Sequence, residues 1–171
     1  MNSMYELLMG LPLFQGVSHA RISELIEKIK FHFLKYLENE QLIEKGDSCK
    51  QLKFLISGSV KLELTNNNKR IRIFETLSAP NVLGAEYLFG RSTVYPYNVS
   101  ASPSAGIMQI EKADYLKILK TDTVFLFNML NYLSRNSQTP MEAVLSLTSG
   151  SIAERFAFWI ISLTHKDATD I

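Results

Sequence analysis

The chain has 171 residues, of which 46% are hydrophobic and 20% charged, which fits a soluble globular protein of one domain, or of one domain plus a small appendage. A formal net charge of +1 argues against a dominant basic face for nucleic acid and against an acidic tail. Cys49 is the single cysteine, which excludes an internal disulfide and any cysteine-rich zinc or iron–sulfur site.

Met1 to Gly10 contains Glu6 and lacks a basic start, so no export signal is expected there. No apolar run approaches the ~20 residues needed to span a bilayer, so a cytoplasmic protein without a membrane partner is expected. Met4–Met9 is a short apolar turn broken by Leu11-Pro12. Ser18 is an N-cap, and Ile22, Leu25, Ile26 and Ile29 at steps of three and four predict an amphipathic helix to about Lys30.

The period then changes to two. Phe31–Leu34 and Gln41–Glu44 read as strands, and Lys45-Gly46-Asp47 as a tight turn with positive φ at Gly46. Leu52, Phe54 and Ile56 alternate up to a turn at Ser57-Gly58, and Val60, Leu62 and Leu64 return as a hairpin with one buried face. A turn at Asn66–Asn68 leads to a strand over Lys69–Ser78. Tyr97–Ser102 and Ala105–Glu111 read as two further strands joined by Ser102-Pro103-Ser104. Seven or eight short strands imply a β-sandwich or barrel of the jelly-roll kind. Between them, Gly84-Ala85-Glu86-Tyr87-Leu88 is too short for a regular helix. One helical turn there would aim unpaired N–H groups at whatever sits opposite.

The last third is helical. Lys112–Lys120 is one short helix, and a longer one begins near Asp122. Leu126, Leu130, Leu133, Ser137, Pro140, Val144 and Leu147 repeat along it at steps of three and four, the pattern of a pairing seam. Phe125, Met129, Tyr132, Met141 and Leu145 make a second stripe, so burial on two sides is expected, against the β-domain and against a second copy. Pro140 cannot donate to the carbonyl of Asn136, and a break or kink is expected near Gln138–Thr139. Ser151–Thr164 is a final helix whose apolar residues face several ways, as in the opening helix of a further domain.

Leu42-Ile43-Glu44-Lys45-Gly46-Asp47, followed by Leu52-Lys53-Phe54-Leu55-Ile56-Ser57-Gly58-Ser59-Val60, resembles the effector-binding half of the Crp/Fnr transcription regulators. Ser149-Gly150-Ser151-Ile152-Ala153 resembles the family's entry to its DNA-binding half. The resemblance implies a mainly β fold with α: a double-stranded β-helix or jelly roll of the cyclic-nucleotide-binding kind over 1–121. A dimerisation helix over 122–149 and the start of an incomplete winged helix-turn-helix domain over 150–171 complete it. It further implies a homodimer along Leu126, Leu130, Leu133, Ser137, Val144 and Leu147. The full-length protein would engage promoter DNA through a domain absent from this chain, with RNA polymerase as a further partner.

The same resemblance places a small, unidentified effector at Gly84, Ala85, Glu86, Tyr87, Leu88, Tyr95, Pro96 and Tyr97, with Asn136 and Ser137 reaching it from the helix. Glu86 matches the glutamate that holds a cyclic nucleotide's ribose. The family's phosphate-binding Arg-Ser pair is absent, with Tyr95 and Pro96 in its place, which disfavours cyclic AMP. A buried phosphate without a guanidinium lacks charge-assisted hydrogen bonds worth about 1.5–3 kcal/mol each. Three tyrosines there suit a planar or apolar guest.

Catalysis is not expected. A jelly-roll metal enzyme needs clustered histidines, whereas His32 stands alone on its strand. The alternative function is a cyclic-nucleotide-binding-like module that controls a protein partner rather than DNA.

Overall fold

In the computed structural model, described for residues 4–65, 70, 72–148 and 150–164, the helix predicted after Ser18 is capped as expected. Met4–Met9 forms α1, Pro12–Phe14 a 3-10 turn, and His19–Lys28 forms α2, with the Ser18 side chain accepting from the Arg21 N–H. Six strands follow: β1 (Phe31–Tyr36), β2 (Gln41–Ile43), β3 (Gln51–Thr65), β4 (Arg72–Ser78), β5 (Asn81–Leu83) and β6 (Asn98–Glu111). Their order is β1-β6-β3-β4, with β2 also on β6 and β5 also on β3, and all the pairings are antiparallel. This is the β-roll inferred from the alternation and the resemblance.

Two expected pairs of strands are instead single long strands. Ser57-Gly58 does not reverse the chain. It sits in an irregular stretch of β3, where register shifts between Leu55 and Ser57 and again between Gly58 and Val60. Gly58 has φ 74, and a Cβ there would collide with the Ser104 carbonyl, so glycine serves close strand approach. Opposite it, β3 advances from Gly58 to Val60 while β6 runs from Ala105 back to Ala101, so Ser102-Pro103-Ser104 bulges outward. A bulge asks no ladder N–H of Pro103, which lets β6 continue through a residue that reads as a turn. The expected turn at Asn66–Asn68 lies outside the described residues, and β5 was not anticipated.

Cross-strand partners divide the sheet into two faces. Leu52 and Phe54 on β3 pair with Ile110 and Met108 on β6. All four are buried, and Phe14 packs edge-on against Phe54 at 5.5 Å between ring centroids. The other face carries the pairs Gln51–Glu111, Lys53–Gln109 and Leu55–Ile107, with His32 and Leu34 of β1 beside Gln109 and Ile107. Leu52 to Leu55 are all buried, so this part of β3 is covered on both faces rather than one.

Lys112–Thr121 forms α3, Thr123–Thr148 α4 and Ile152–Thr164 α5. The chain divides into two compact units, Met1–Met129 and Leu130–Ile171, with the boundary inside α4. In the first unit, Asp122 caps α4 through Val124 N–H (2.9 Å) and accepts from Arg21 Nε (2.8 Å). Phe125 and Met129 are buried, the Phe125 ring standing 5.0 Å from Phe14, while Leu126 and Phe127 are exposed.

In the second unit Leu130 is 48% exposed, Leu133 is half-buried, and Asn136 and Ser137 are exposed, with the Ser137 hydroxyl donating to Ser134 O. Val144 and Leu147 of the expected seam lie outside the described side chains, as do Met141 and Leu145. The expected break is not there, since α4 is a single helix with Pro140 inside it. Proline's fixed φ is a helical φ, so the helix can run on through it at the cost of one hydrogen bond and crowding of the preceding turn. At α5, Ser151 and Glu154 cap each other reciprocally, and Ile152, Phe156 and Ile160 are exposed.

Candidate functional site

β5 delivers the chain to Gly84, whose φ of 63 turns it into a single 3-10 turn over Ala85–Tyr87. Tyr87 N–H donates to Gly84 O and Leu88 N–H to Ala85 O, at 3.0 and 3.1 Å. A Cβ on Gly84 would stand 2.9 Å from the Tyr97 hydroxyl and closer still to the Tyr95 ring. Glycine is therefore required twice at this position, by backbone angle and by space. Ala85 and Leu88 are buried and anchor the turn, whereas Glu86 is exposed.

Tyr87, Tyr95 and Tyr97 form a closed triangle, with ring centroids 5.7–6.0 Å apart. Tyr95 and Tyr97 are buried, and Pro96 between them is half-buried. The turn predicted at Gly46 holds this cluster. Tyr95 N–H donates to Asp47 O, Gly46 N–H to Tyr95 O and Cys49 N–H to Thr93 O, at 2.7–2.9 Å. The Tyr95 hydroxyl donates to Cys49 Sγ at 2.9 Å, and the buried thiol faces Gly84 O at 3.8 Å. Burial pushes both the Cys49 thiol and the Tyr95 phenol up, so both stay protonated at neutral pH.

Burial also raises the Glu86 pKa, against hydrogen bonds from its own backbone N–H and from the Tyr97 hydroxyl, which lower it. Solvent reaches this residue's surface, which limits the rise. The structure thus brings Gly84, Ala85, Tyr87, Leu88, Tyr95 and Tyr97 into one packed cluster, with Glu86 at its surface. Arg91 is exposed.

On the far side of Tyr95 a cleft of about 470 Å³ opens on the sheet face that carries Lys53 and Gln109. Its walls include Leu34 and Tyr36 of β1, Leu42 and Ile43 of β2, Asp47 and Lys50. Lys53 is 7% exposed and Gln109 9%, and they are register partners. The Lys53 ammonium lies 5.5 Å from the Tyr95 ring centroid. Burial lowers its pKa, and the negative charges of Cys49 where ionised, Asp47 and Glu111 act against that.

Sequence reasoning missed Lys53 because a lysine between Leu52 and Phe54 reads as the solvent side of a half-buried strand. The run Leu52-Lys53-Phe54-Leu55-Ile56 was the available signal, since so apolar a stretch suits a strand covered on both faces.

The cyclic nucleotide-binding domain family matches residues 33–122, more than half of the chain and the whole β-roll apart from the start of β1. The chain belongs to that family. The cAMP-activated global transcriptional regulator CRP of Pasteurella multocida is 23% identical over 147 residues, covering 82% of this chain and 70% of the relative. Its Haemophilus influenzae counterpart is 24% identical, with 66% of its length covered.

Among solved structures, the Thermus thermophilus catabolite activator protein superimposes with a TM-score of 0.67 at 20% identity, over 80% of this chain and 61% of that one. The sensor domain of the transcriptional regulator DNR from Pseudomonas aeruginosa gives 0.67 at 18%, over 86% and 93%. These likenesses establish the cyclic-nucleotide-binding β-roll, and the resemblance to Crp/Fnr regulators drawn from the sequence stands. Among the described residues no helix is long and apolar enough to cross a membrane.

Proposed function

We propose that this chain is the ligand-sensing, dimerising part of a Crp/Fnr-type transcription regulator. In this reading a small effector held in the β-roll changes the geometry of α4 and so repositions DNA-binding domains beyond Gly150. The parts would be the roll over 1–121, the pairing helix over 122–149, and the opening of the DNA-binding domain over 150–171. One observation carries the reading. The β-roll is followed by a helix that buries Phe125 and Met129 on its own unit and leaves Leu126, Phe127 and Leu130 exposed. An apolar strip of that kind suits a second copy of the same helix.

The Gly84–Leu88 turn, Tyr95–Tyr97, Asn136 and Ser137 are the proposed relay from effector to helix. An effector shifts such an equilibrium only by the difference in its affinity for the two arrangements. Promoter DNA and RNA polymerase would be partners of the full-length protein. The reading is tested by light scattering of the wild type and of Leu130→Asp. A dimer that becomes a monomer in the variant is expected, and a wild type that is monomeric at all concentrations refutes it.

A further inference from the structure

Lys53 presents a problem that the packed tyrosines do not solve. The residue is 7% exposed, and among the described residues its ammonium makes no hydrogen bond or ion pair and lies 5.5 Å from the Tyr95 ring centroid. Lys53 lines the cleft and its Nζ is not sealed from solvent, so an anion in the cleft can reach a charge that burial otherwise disfavours. The nearby carboxylates of Asp47 and Glu111 act on Lys53 through space without pairing with it. Asp47 accepts from Glu44 N–H at 3.0 Å, and Glu111 accepts from Gln51 Nε2 at 3.0 Å. Lys50 adds a second positive charge to the cleft wall, so the lining carries two lysines against Asp47 alone.

Leu34 and Leu42 give the cleft an apolar strip among the polar Tyr36, Ser48, Gln51 and Gln109. Leu34 stands two residues along the same sheet face from the Lys53–Gln109 level, about 7 Å away by strand geometry. It is 42% exposed, and Leu42 beside it is half-buried. A volume near 470 Å³ falls within the ordinary range for small-molecule sites, about 300–1,000 Å³.

We infer that this cleft is an effector seat for a small organic acid, its anionic head against Lys53 and Gln109 and its body along Leu34 and Leu42. The inference rests on the sensor reading and adds the chemical class of the ligand. Tyr95 makes the seat consequential, since one ring forms the wall of the cleft and packs against Gly84 of the turn. A guest that orders Lys53 over that ring acts directly on the turn.

The test is calorimetric titration of the whole chain with phenylacetate and octanoate, each beside its neutral amide, and with cyclic AMP. At least one acid is expected to bind, with its amide at least tenfold weaker and with loss of at least tenfold in affinity in Lys53→Met. Lys53→Gln serves in the same comparison, and the acid–amide contrast needs no variant.

The inference is overturned if neither acid binds, if acid and amide bind alike, or if binding persists unchanged in both Lys53 variants. Binding of cyclic AMP that ignores Lys53 would overturn the organic acid and leave the sensor standing. Only the Leu130→Asp experiment bears on the dimer.

Discussion

Gly84→Ala tests whether the turn and the tyrosine cluster form one packed unit. Alanine at φ 63 enters the left-handed region, at about 1–2 kcal/mol. The added methyl would also meet the Tyr97 hydroxyl at 2.9 Å and the Tyr95 ring more closely, both under the 3.0 Å that real Cβ atoms respect. Relief requires moving two buried rings, an overpacking cost of about 1–3 kcal/mol. Reduced freedom of the unfolded chain returns about 0.4–1 kcal/mol.

The expected net loss is ~2–4 kcal/mol, or a fall in Tm of roughly 5–15 °C for a chain of this size. Gly46→Ala is the control, because Gly46 also has positive φ but nothing lies within 4 Å of the new Cβ. Thermal and urea unfolding of the two variants should therefore differ by at least about 1 kcal/mol. Adding Tyr97→Phe to Gly84→Ala should recover part of the loss, since the hydroxyl is one of the obstructing atoms. Equal destabilisation of the two glycine variants would refute the packing argument.

Phe14→Ala should cost about 3–5 kcal/mol, because the ring is fully buried between Phe54 and Phe125 and its loss leaves a cavity. Urea unfolding checks this, and a change below about 1 kcal/mol would mean the first unit does not depend on that junction. Glu86 should make stability pH-dependent. Its folded pKa is raised, so its contribution is full below the unfolded pKa and is lost as pH rises through the folded value. Glu86→Gln should therefore flatten the decline of stability above the ordinary carboxylate range and gain at neutral pH. Parallel stability curves for wild type and variant across that range would contradict the raised pKa of Glu86.

Much of the first unit was legible because its cues are local. Ser18 caps α2 through a residue three positions on, Asp122 caps α4 through one two positions on, and the alternation over Val60–Leu64 and Ile107–Glu111 places strands without reference to any partner. The Crp/Fnr resemblance rested on the same kind of evidence, the turn at Gly46 and the strand that follows it.

The places where local cues misled are those where another part of the chain supplied the missing energy or space. Gly58 reads as a turn residue, but the approach of Ser104 uses it as a bulge, and Pro103 is tolerated because the opposite strand asks nothing of its nitrogen. Lys53 reads as solvent-facing until β6 brings Gln109 opposite it and residues 46–49 swing Tyr95 over its ammonium.

Sequence alone thus determined the element types, a jelly-roll kind of β fold and the strip of leucines on α4, which follow from periodicity and capping within a few residues. The β-roll class came from the Crp/Fnr resemblance. Tertiary structure alone decided which strands run on through their interruptions, which tyrosines are packed away, and where a charge lies unpaired. Those depend on burial and on cross-strand partners drawn from distant parts of the chain.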